Sequence, residues 1–375
     1  MDEQSLYDGV KNILYSENLE SFLYSVFDAG SNHYGRIYWN INAIIGFLPE
    51  ALFGQPGLIF SGRTSGVLFL SLSTFLLSIS FLKSRFFQLI AFFVLINTPF
   101  SSYFMTMPKP EPLQMFFLSL FLYFLKKNNF SLTSKGWFFF GLAAGTKVSI
   151  LPLFFPIVFF STYQVFLLKG IKKTLEVVPV TIGYLLFGFS VAVPVLVKPC
   201  FVSFLAYGLA DKIFFKKRLQ STFNRFFLML SFLAANVFYS VFAKRFFNFK
   251  TGLFKWFTQT ILNTGHGFDR ADIGFFTWVK FFFTEFVSSF PFVNVILFLC
   301  GFWLVLLIIK NNRPIYAEKN LFVLERVIFL LSGMLLVFVV FLTSNRIWGY
   351  YLFPGFSLFV VNLISVCESI IFKDD

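Results

Sequence analysis

Charge is what this chain has least of. Asp, Glu, Lys and Arg make up 13% of its 375 residues, about half the share of an ordinary soluble domain. Histidine is confined to His33 and His266, too few for a Cys/His metal cluster. Cys200, Cys300 and Cys367 are odd in number and far apart, which excludes a secreted disulfide scaffold. No phosphate-cradling P-loop, zinc-protease His pair or nucleophile elbow is present. Internal repeats, low-complexity linkers and a soluble domain are also lacking.

Apolar residues fill the space instead. They account for 57% of the chain, and Phe alone occurs 63 times. A soluble fold of this size has too little interior to hide that surface. The expectation is an all-α, polytopic integral membrane protein solvated by lipid, with every span helical because lipid cannot satisfy an open backbone. The net charge of +13 then reflects Lys and Arg collecting in cytoplasmic loops, with no nucleic acid as partner.

A span needs about 20 apolar residues, fewer where the bilayer thins. The candidates are 62–82, 86–104, 112–125, 136–168, 177–197, the weaker 199–215, then 223–243, 286–309, 322–343 and 348–372. The stretch 136–168 contains Gly145, Lys147, Pro152 and Pro156 and reads as two short spans broken near Lys147, giving about eleven in all. Six basic clusters fall at alternate loops: Lys83/Arg85, Lys126/Lys127/Lys135, Lys169/Lys172/Lys173, Lys216/Lys217/Arg218, Lys310/Arg313 and Lys373. Placed inside, they leave residues 1–61, 105–111, the Lys147 break, 244–280 and 344–346 outside. Lys244, Arg245, Lys250 and Lys255 disagree, and either the assignment is locally wrong or they have an anionic partner.

Two regions follow: 1–61, a first extracytoplasmic loop, and 62–375, a multi-span transmembrane domain. Within the loop, 34–60 is moderately apolar but carries Asn40, Asn42, Pro49, Glu50, Gly54 and Pro56. It is expected to form helices lying at the interface, with Tyr34, Tyr38 and Trp39 at headgroup level. No targeting peptide precedes it. The chain begins abruptly with a polar segment, as though an upstream part were absent.

Acidic residues on the outer side are few, so each is informative. Asp2, Glu3, Asp8, Asp28 and Glu50 precede the first span, and Glu111 follows Met107-Pro108-Lys109-Pro110. Prolines at 108, 110 and 112 fix a rigid loop before a span. Lys109 is the expected partner for Glu111, which the helix macrodipole also favours at that position. Lys147 is a charge between two short spans, where either a lipid phosphate or snorkelling accounts for it. Arg346 offers planar donors that suit a phosphate, beside Trp348, Tyr350 and Tyr351. His266 sits between two glycines, as in an exposed turn.

In order along the chain, Asp2-Glu3 with Tyr7, Ile13-Leu14-Tyr15-Ser16 and His33-Tyr34-Gly35-Arg36-Ile37-Tyr38-Trp39 resemble the first extracytoplasmic loop of GT-C glycosyltransferases. Leu52-Phe53-Gly54, Gly62-Arg63 with Ser65, Lys109-Pro110-Glu111, Gly141–Lys147 and Tyr350-Tyr351-Leu352-Phe353-Pro354-Gly355 extend the likeness. It covers most of 1–160 and the last 30 residues, while 170–340 match only in hydropathy. The aminoarabinose lipid A transferases and protein O-mannosyltransferases are the nearest in character. The resemblance implies a sugar moved from a polyprenyl-phosphate carrier to a glycan, lipid or protein acceptor on the extracytoplasmic face, in a bacterial cytoplasmic membrane. Asp2 matches the first-loop carboxylate that acts as base or orients the acceptor, with Glu3 beside it, and Glu111 matches the second acidic position. Arg36, Lys109, Lys147, His266 and Arg346 are the implied contacts to donor and phosphate. No metal ligand or certain cofactor is assigned, and a divalent ion stays open. Two departures stand out: the family has a span before its Asp-Glu, and its second acidic position often carries Asp, with Lys109 here bearing on metal dependence.

The implied chemistry is physically coherent. A base takes the acceptor proton, and cations stabilise the departing phosphate. Other readings are a transporter or flippase for a lipid-linked or small anionic solute, and a polysaccharide polymerase. Transporters place charge near the bilayer midplane and often show repeated halves. Here the expected spans are nearly free of central charge, which favours an enzyme.

Overall fold

The computed structural model describes residues 2–27, 36–128, 136–192, 276–277, 279–280, 284, 328–337, 339 and 353–371. Among them every regular element is a helix and there is no strand. In chain order these are α1 (Asp2–Leu14), α2 (Leu19–Phe27), α3 (Ile37–Phe53), α4 (Gln55–Phe81), α5 (Arg85–Ile96), α6 (Pro99–Thr106), α7 (Glu111–Lys127), α8 (Gly136–Thr146), a 3-10 turn (Val148–Leu153) and α9 (Phe154–Ala192). The short helix α10 (Ile328–Val337) and α11 (Phe353–Ile371) follow. Two helices, Gln55–Phe81 and Ser149–Leu167, are long and apolar enough to cross a membrane. The expected spans at 199–215, 223–243 and 286–309, and the discordant basic cluster 244–255, lie outside the described residues.

The chain divides into two units. The first comprises 1–69, 104–148 and 161–261, and the second 70–103, 149–160 and 262–375.

In the first unit, α3 and α4 form an antiparallel hairpin. Gly54 turns the chain at φ +62, where a side chain would be strained. Glycines then let the two backbones approach. A Cβ on Gly57 would lie 2.1 Å from Pro49 O, and one on Gly46 would lie 2.3 Å from Leu58 Cδ1. The helix therefore begins at Gln55, ahead of the position 62 that hydropathy marks. Helix α3 buries Asn42 and Glu50 together with Tyr38, Trp39 and Ala43, and exposes a row of large apolar residues, Ile44, Phe47, Leu48, Leu52 and Phe53.

Helices α7 and α8 form a second antiparallel hairpin. One end is aromatic: Phe124 stacks on Phe139 at 5.4 Å, and Phe121 meets Trp137 at 4.8 Å and Phe140 at 5.0 Å. The other end is polar and contains the candidate site. On its far side α8 packs parallel to the last part of α9 through small residues. A Cβ on Gly141 would lie 2.0 Å from Leu185 O, one on Gly188 1.9 Å from Phe138 O, and one on Gly145 2.5 Å from Ala192 Cβ. Such small-residue seams let helix backbones approach closely. Gly170, at φ +74, kinks α9 amid the basic residues 169–173.

In the second unit, α11 packs on α5. The carboxylate of Glu368 accepts the backbone N–H of Lys83 at 3.1 Å and that of Ser84. Ser84 itself makes no side-chain cap on α5, so a residue nearly three hundred positions away satisfies those orphan donors. Ser365 Oγ donates to Phe81 O at 2.9 Å, and Phe81 meets Phe329 edge-on at 5.2 Å.

One expected span is interrupted. The run 86–104 reads as continuous apolar sequence, yet the chain breaks between α5 and α6 at Asn97-Thr98. Thr98 caps α6 by accepting the Ser101 N–H at 3.3 Å, and Pro99 opens the helix. Thr followed by Pro is a helix start; it outweighs hydropathy here.

Candidate functional site

The polar end of the α7/α8 hairpin is built by three prolines and two helix ends. Pro108, Lys109 and Pro110 are buried, and Pro110 precedes α7 at φ −74. Glu111 is thereby fixed at the first residue of α7, where the dipole favours its charge. From α8, Lys147 follows the last helical residue, its N–H reaching back to Ala143 O at 3.1 Å.

Lys147 Nζ and Glu111 Oε1 form an ion pair. The Glu111 side chain is 1% exposed and that of Lys147 9%, so the pair is desolvated. Gln114, one turn beyond Glu111 on the same face, donates its amide to Ala143 O at 3.3 Å and to Lys147 O. It thus ties α7 to the end of α8 through the carbonyl of Lys147 and through Ala143 O, which also accepts the Lys147 N–H. Two acceptors remain: Glu111 Oε2 and Gln114 Oε1 are buried and have no hydrogen-bond partner among the described residues.

Around this end, α1, α3 and α4 converge. A Cβ on Gly62 would meet Leu6 Cδ2 at 2.6 Å, Pro108 Cβ at 3.2 Å and Asn42 Oδ1 at 3.7 Å. Leu6, Asn42, Gly62 and Pro108 therefore meet at one place. Asp2 and Glu3 open α1, and four residues of helix span only about 6 Å, so their backbone starts close to that junction. Helix α1 is held there by Gly9, whose Cβ would lie 2.0 Å from Trp39 Cδ1. Buried Arg36 lies over the Trp39 ring with 5.8 Å between guanidinium carbon and centroid. The Ser65 hydroxyl lies 3.1 Å from Asn42 Oδ1 and 2.9 Å from Gly62 O, while Asn42 donates to Tyr38 O at 2.8 Å. At the other end of α3, exposed Tyr15 donates to Glu50, and that hydrogen bond pushes the Tyr15 hydroxyl above its ordinary range.

The structure therefore brings together Glu111 and Lys147, and sets Lys109 in the same buried turn. The described ion pair of Glu111 is with Lys147, not with its sequence neighbour Lys109, because Lys147 closes the facing helix. Arg36 belongs to the α1/α3 packing through Trp39. His33, His266, Arg346 and Asp28 lie outside the described residues. Gln114 was missed by sequence reasoning, since an amide inside an apolar run carries no local signature. Among the described residues, no group of three His, Cys, Asp or Glu side chains could hold a metal ion.

No protein-family model, curated protein or solved structure matches the chain.

Proposed function

We infer that this is a polytopic membrane glycosyltransferase of the GT-C type, moving a sugar from a polyprenyl-phosphate carrier to an acceptor on the extracytoplasmic face of a bacterial cytoplasmic membrane. The observation that carries the reading is the buried Glu111–Lys147 pair, in a turn of three prolines beside the start of α1. A chain this poor in acidic residues has set one of them, desolvated and partly unsatisfied, where the resemblance expects the second acidic position. Buried charges are costly and concentrate at functional sites.

Two further features support it. Leu6, Asn42, Pro108 and Lys147 belong to segments that the basic clusters assign to one face, and the first three meet around Gly62. Lys83, on the opposite face in that scheme, meets Glu368, five residues before Lys373. The exposed apolar row of α3 suits a lipid surround. In this reading Asp2 is the base, Glu3 and Glu111 support it, Lys109 faces the leaving phosphate, and the isoprenoid lies among the Phe-rich helices.

The test is direct. The purified chain in liposomes, given a panel of undecaprenyl-phosphoryl hexoses and pentoses with bacterial envelope lipids and glycans as acceptors, should release undecaprenyl phosphate detectable by mass spectrometry. Asp2→Asn should reduce turnover by about 10²–10⁴-fold without loss of donor binding. Release that Asp2→Asn leaves untouched removes Asp2 from the mechanism. No release from any donor, in folded protein that also fails to bind undecaprenyl phosphate, overturns the reading.

A further inference from the structure

We propose that Glu111 Oε2 and Gln114 Oε1 form a hydroxyl-accepting subsite for a neutral polyol, so that this end of the α7/α8 hairpin holds a sugar ring and not a phosphate. The proposal rests on the glycosyltransferase reading for its biological ligand. The geometry stands by itself.

The two acceptors sit three residues apart on α7 and so lie on one face of the helix. Glu111 is 1% exposed and Gln114 0%. Their other polar atoms are committed in one direction, toward residue 147: Glu111 Oε1 to the ammonium, Gln114 Nε2 to the carbonyl. The remaining oxygens have no donor among the described residues. A buried acceptor without a donor is costly. Two on one face, in a turn stiffened by prolines, mark a place that a donor-bearing ligand would complete.

The open atoms decide which ligand. Within the pair the carboxylate and the ammonium offset each other, and the two atoms left open are both acceptors. A phosphate would bring its oxygens against two acceptor oxygens and lose hydrogen bonds in doing so. A metal ion would sit against the Lys147 ammonium, which repels it. A hydroxyl donates one proton to each acceptor and adds no charge, and two neighbouring hydroxyls of a pyranose present two such donors. Lys147 is thereby removed from the phosphate contacts and becomes a positioning residue, holding the Glu111 carboxylate in place.

The experiment uses the full chain in phosphatidylcholine nanodiscs, which contain no sugar. Octyl β-glucoside, octyl β-galactoside and octyl α-mannoside are titrated below micelle formation, with octanol as the chain-matched control. The reading is the unfolding midpoint, which rises saturably when a ligand binds the folded state. At least one hexoside should raise it saturably and octanol should not. Gln114→Leu and Glu111→Gln, each removing one acceptor, should shift the half-saturating concentration by about tenfold or abolish the response. If Gln114→Leu does not assemble, the double variant Glu111→Leu/Lys147→Met decides, since it removes the Glu111 acceptor without leaving half of a buried pair. No saturable response in the wild type, or an unchanged one in the variants, overturns the subsite. A parallel titration with undecaprenyl phosphate separates the two claims. Hexoside binding without it keeps the subsite and removes the polyprenyl-phosphate reading, whereas the reverse removes the subsite alone.

Discussion

Removing one charge from the Glu111–Lys147 pair should destabilise the protein far more than removing both. With side chains 1% and 9% exposed, neither group has water to fall back on. Lys147→Met leaves a buried carboxylate facing a thioether, and Glu111→Gln leaves a buried ammonium facing an amide. Breaking a buried pair from one side costs about 3–5 kcal/mol, in keeping with about 4 kcal/mol for two unit charges 4 Å apart at an effective dielectric of 20. The double variant Glu111→Gln/Lys147→Met removes both charges of the pair, and such replacements are often near neutral. Its deficit should stay below about 2 kcal/mol, leaving a coupling energy of at least about 4 kcal/mol. The assay is equilibrium unfolding in mixed micelles titrated with dodecyl sulfate, followed by far-ultraviolet circular dichroism. Single variants that each cost under about 1 kcal/mol and add in the double would show a solvated pair, and the site argument would fail with it.

Two further outcomes follow from the packing. Gly188→Ala and Gly141→Ala set a methyl within 1.9 Å and 2.0 Å of backbone oxygens, so α8 and α9 must separate, at about 1–3 kcal/mol each; Gly183→Ala, with nothing within 4 Å, should be neutral or stabilising in the same unfolding assay, and equal effects at the three positions would refute the seam. Tyr15 has its hydroxyl held above the ordinary range by its hydrogen bond to Glu50, so that contact contributes fully below the unfolded value of about 10 and is lost as pH rises through the higher folded value. Thermal unfolding of the wild type should weaken more steeply than that of Tyr15→Phe above about pH 10, and parallel alkaline profiles would remove the contact.

Much of the local architecture was legible because it has local causes. The α7/α8 hairpin is bracketed by prolines on one side and Lys126-Lys127 on the other. The break at Lys147 follows from Gly145 before it and Pro152 after it, and the kink in α9 falls in its basic cluster. What hydropathy could not show depends on partners distant in sequence. Glu368 caps a helix that begins at residue 85, Gln114 bridges to residues 143 and 147, and Ser65 reaches Asn42. Each is a polar residue in an apolar run, with no neighbour in sequence to reveal its partner. The division of 86–104 at Thr98-Pro99 has a visible signal, a Thr cap followed by Pro, which apolar length alone does not register. Lys109 was assigned to Glu111 by proximity in sequence, whereas antiparallel packing of two helices brings Lys147 to it.

Glu111 and Glu368 give the sharpest internal comparison. Both are buried, at 1% and 2% exposure, and both lie at helix ends. The physics of the two solutions differs. Glu368 meets backbone N–H groups with both oxygens: Oε1 accepts from Lys83 and Ser84, and Oε2 from Lys83. Those donors are fixed by the start of α5 and come with a favourable dipole, so the carboxylate is saturated and its role is to join α11 to α5. Glu111 meets one ammonium with one oxygen and keeps the other without a donor among the described residues. A carboxylate serving only the fold would gain from a second donor, as Glu368 does. The chain meets that need at residue 368 and leaves it open at residue 111, in a turn where three prolines prevent the backbone from relaxing to supply an N–H. Unsatisfied capacity held rigid is what a binding site requires before its ligand arrives; of the two carboxylates, Glu111 is the one built to receive something.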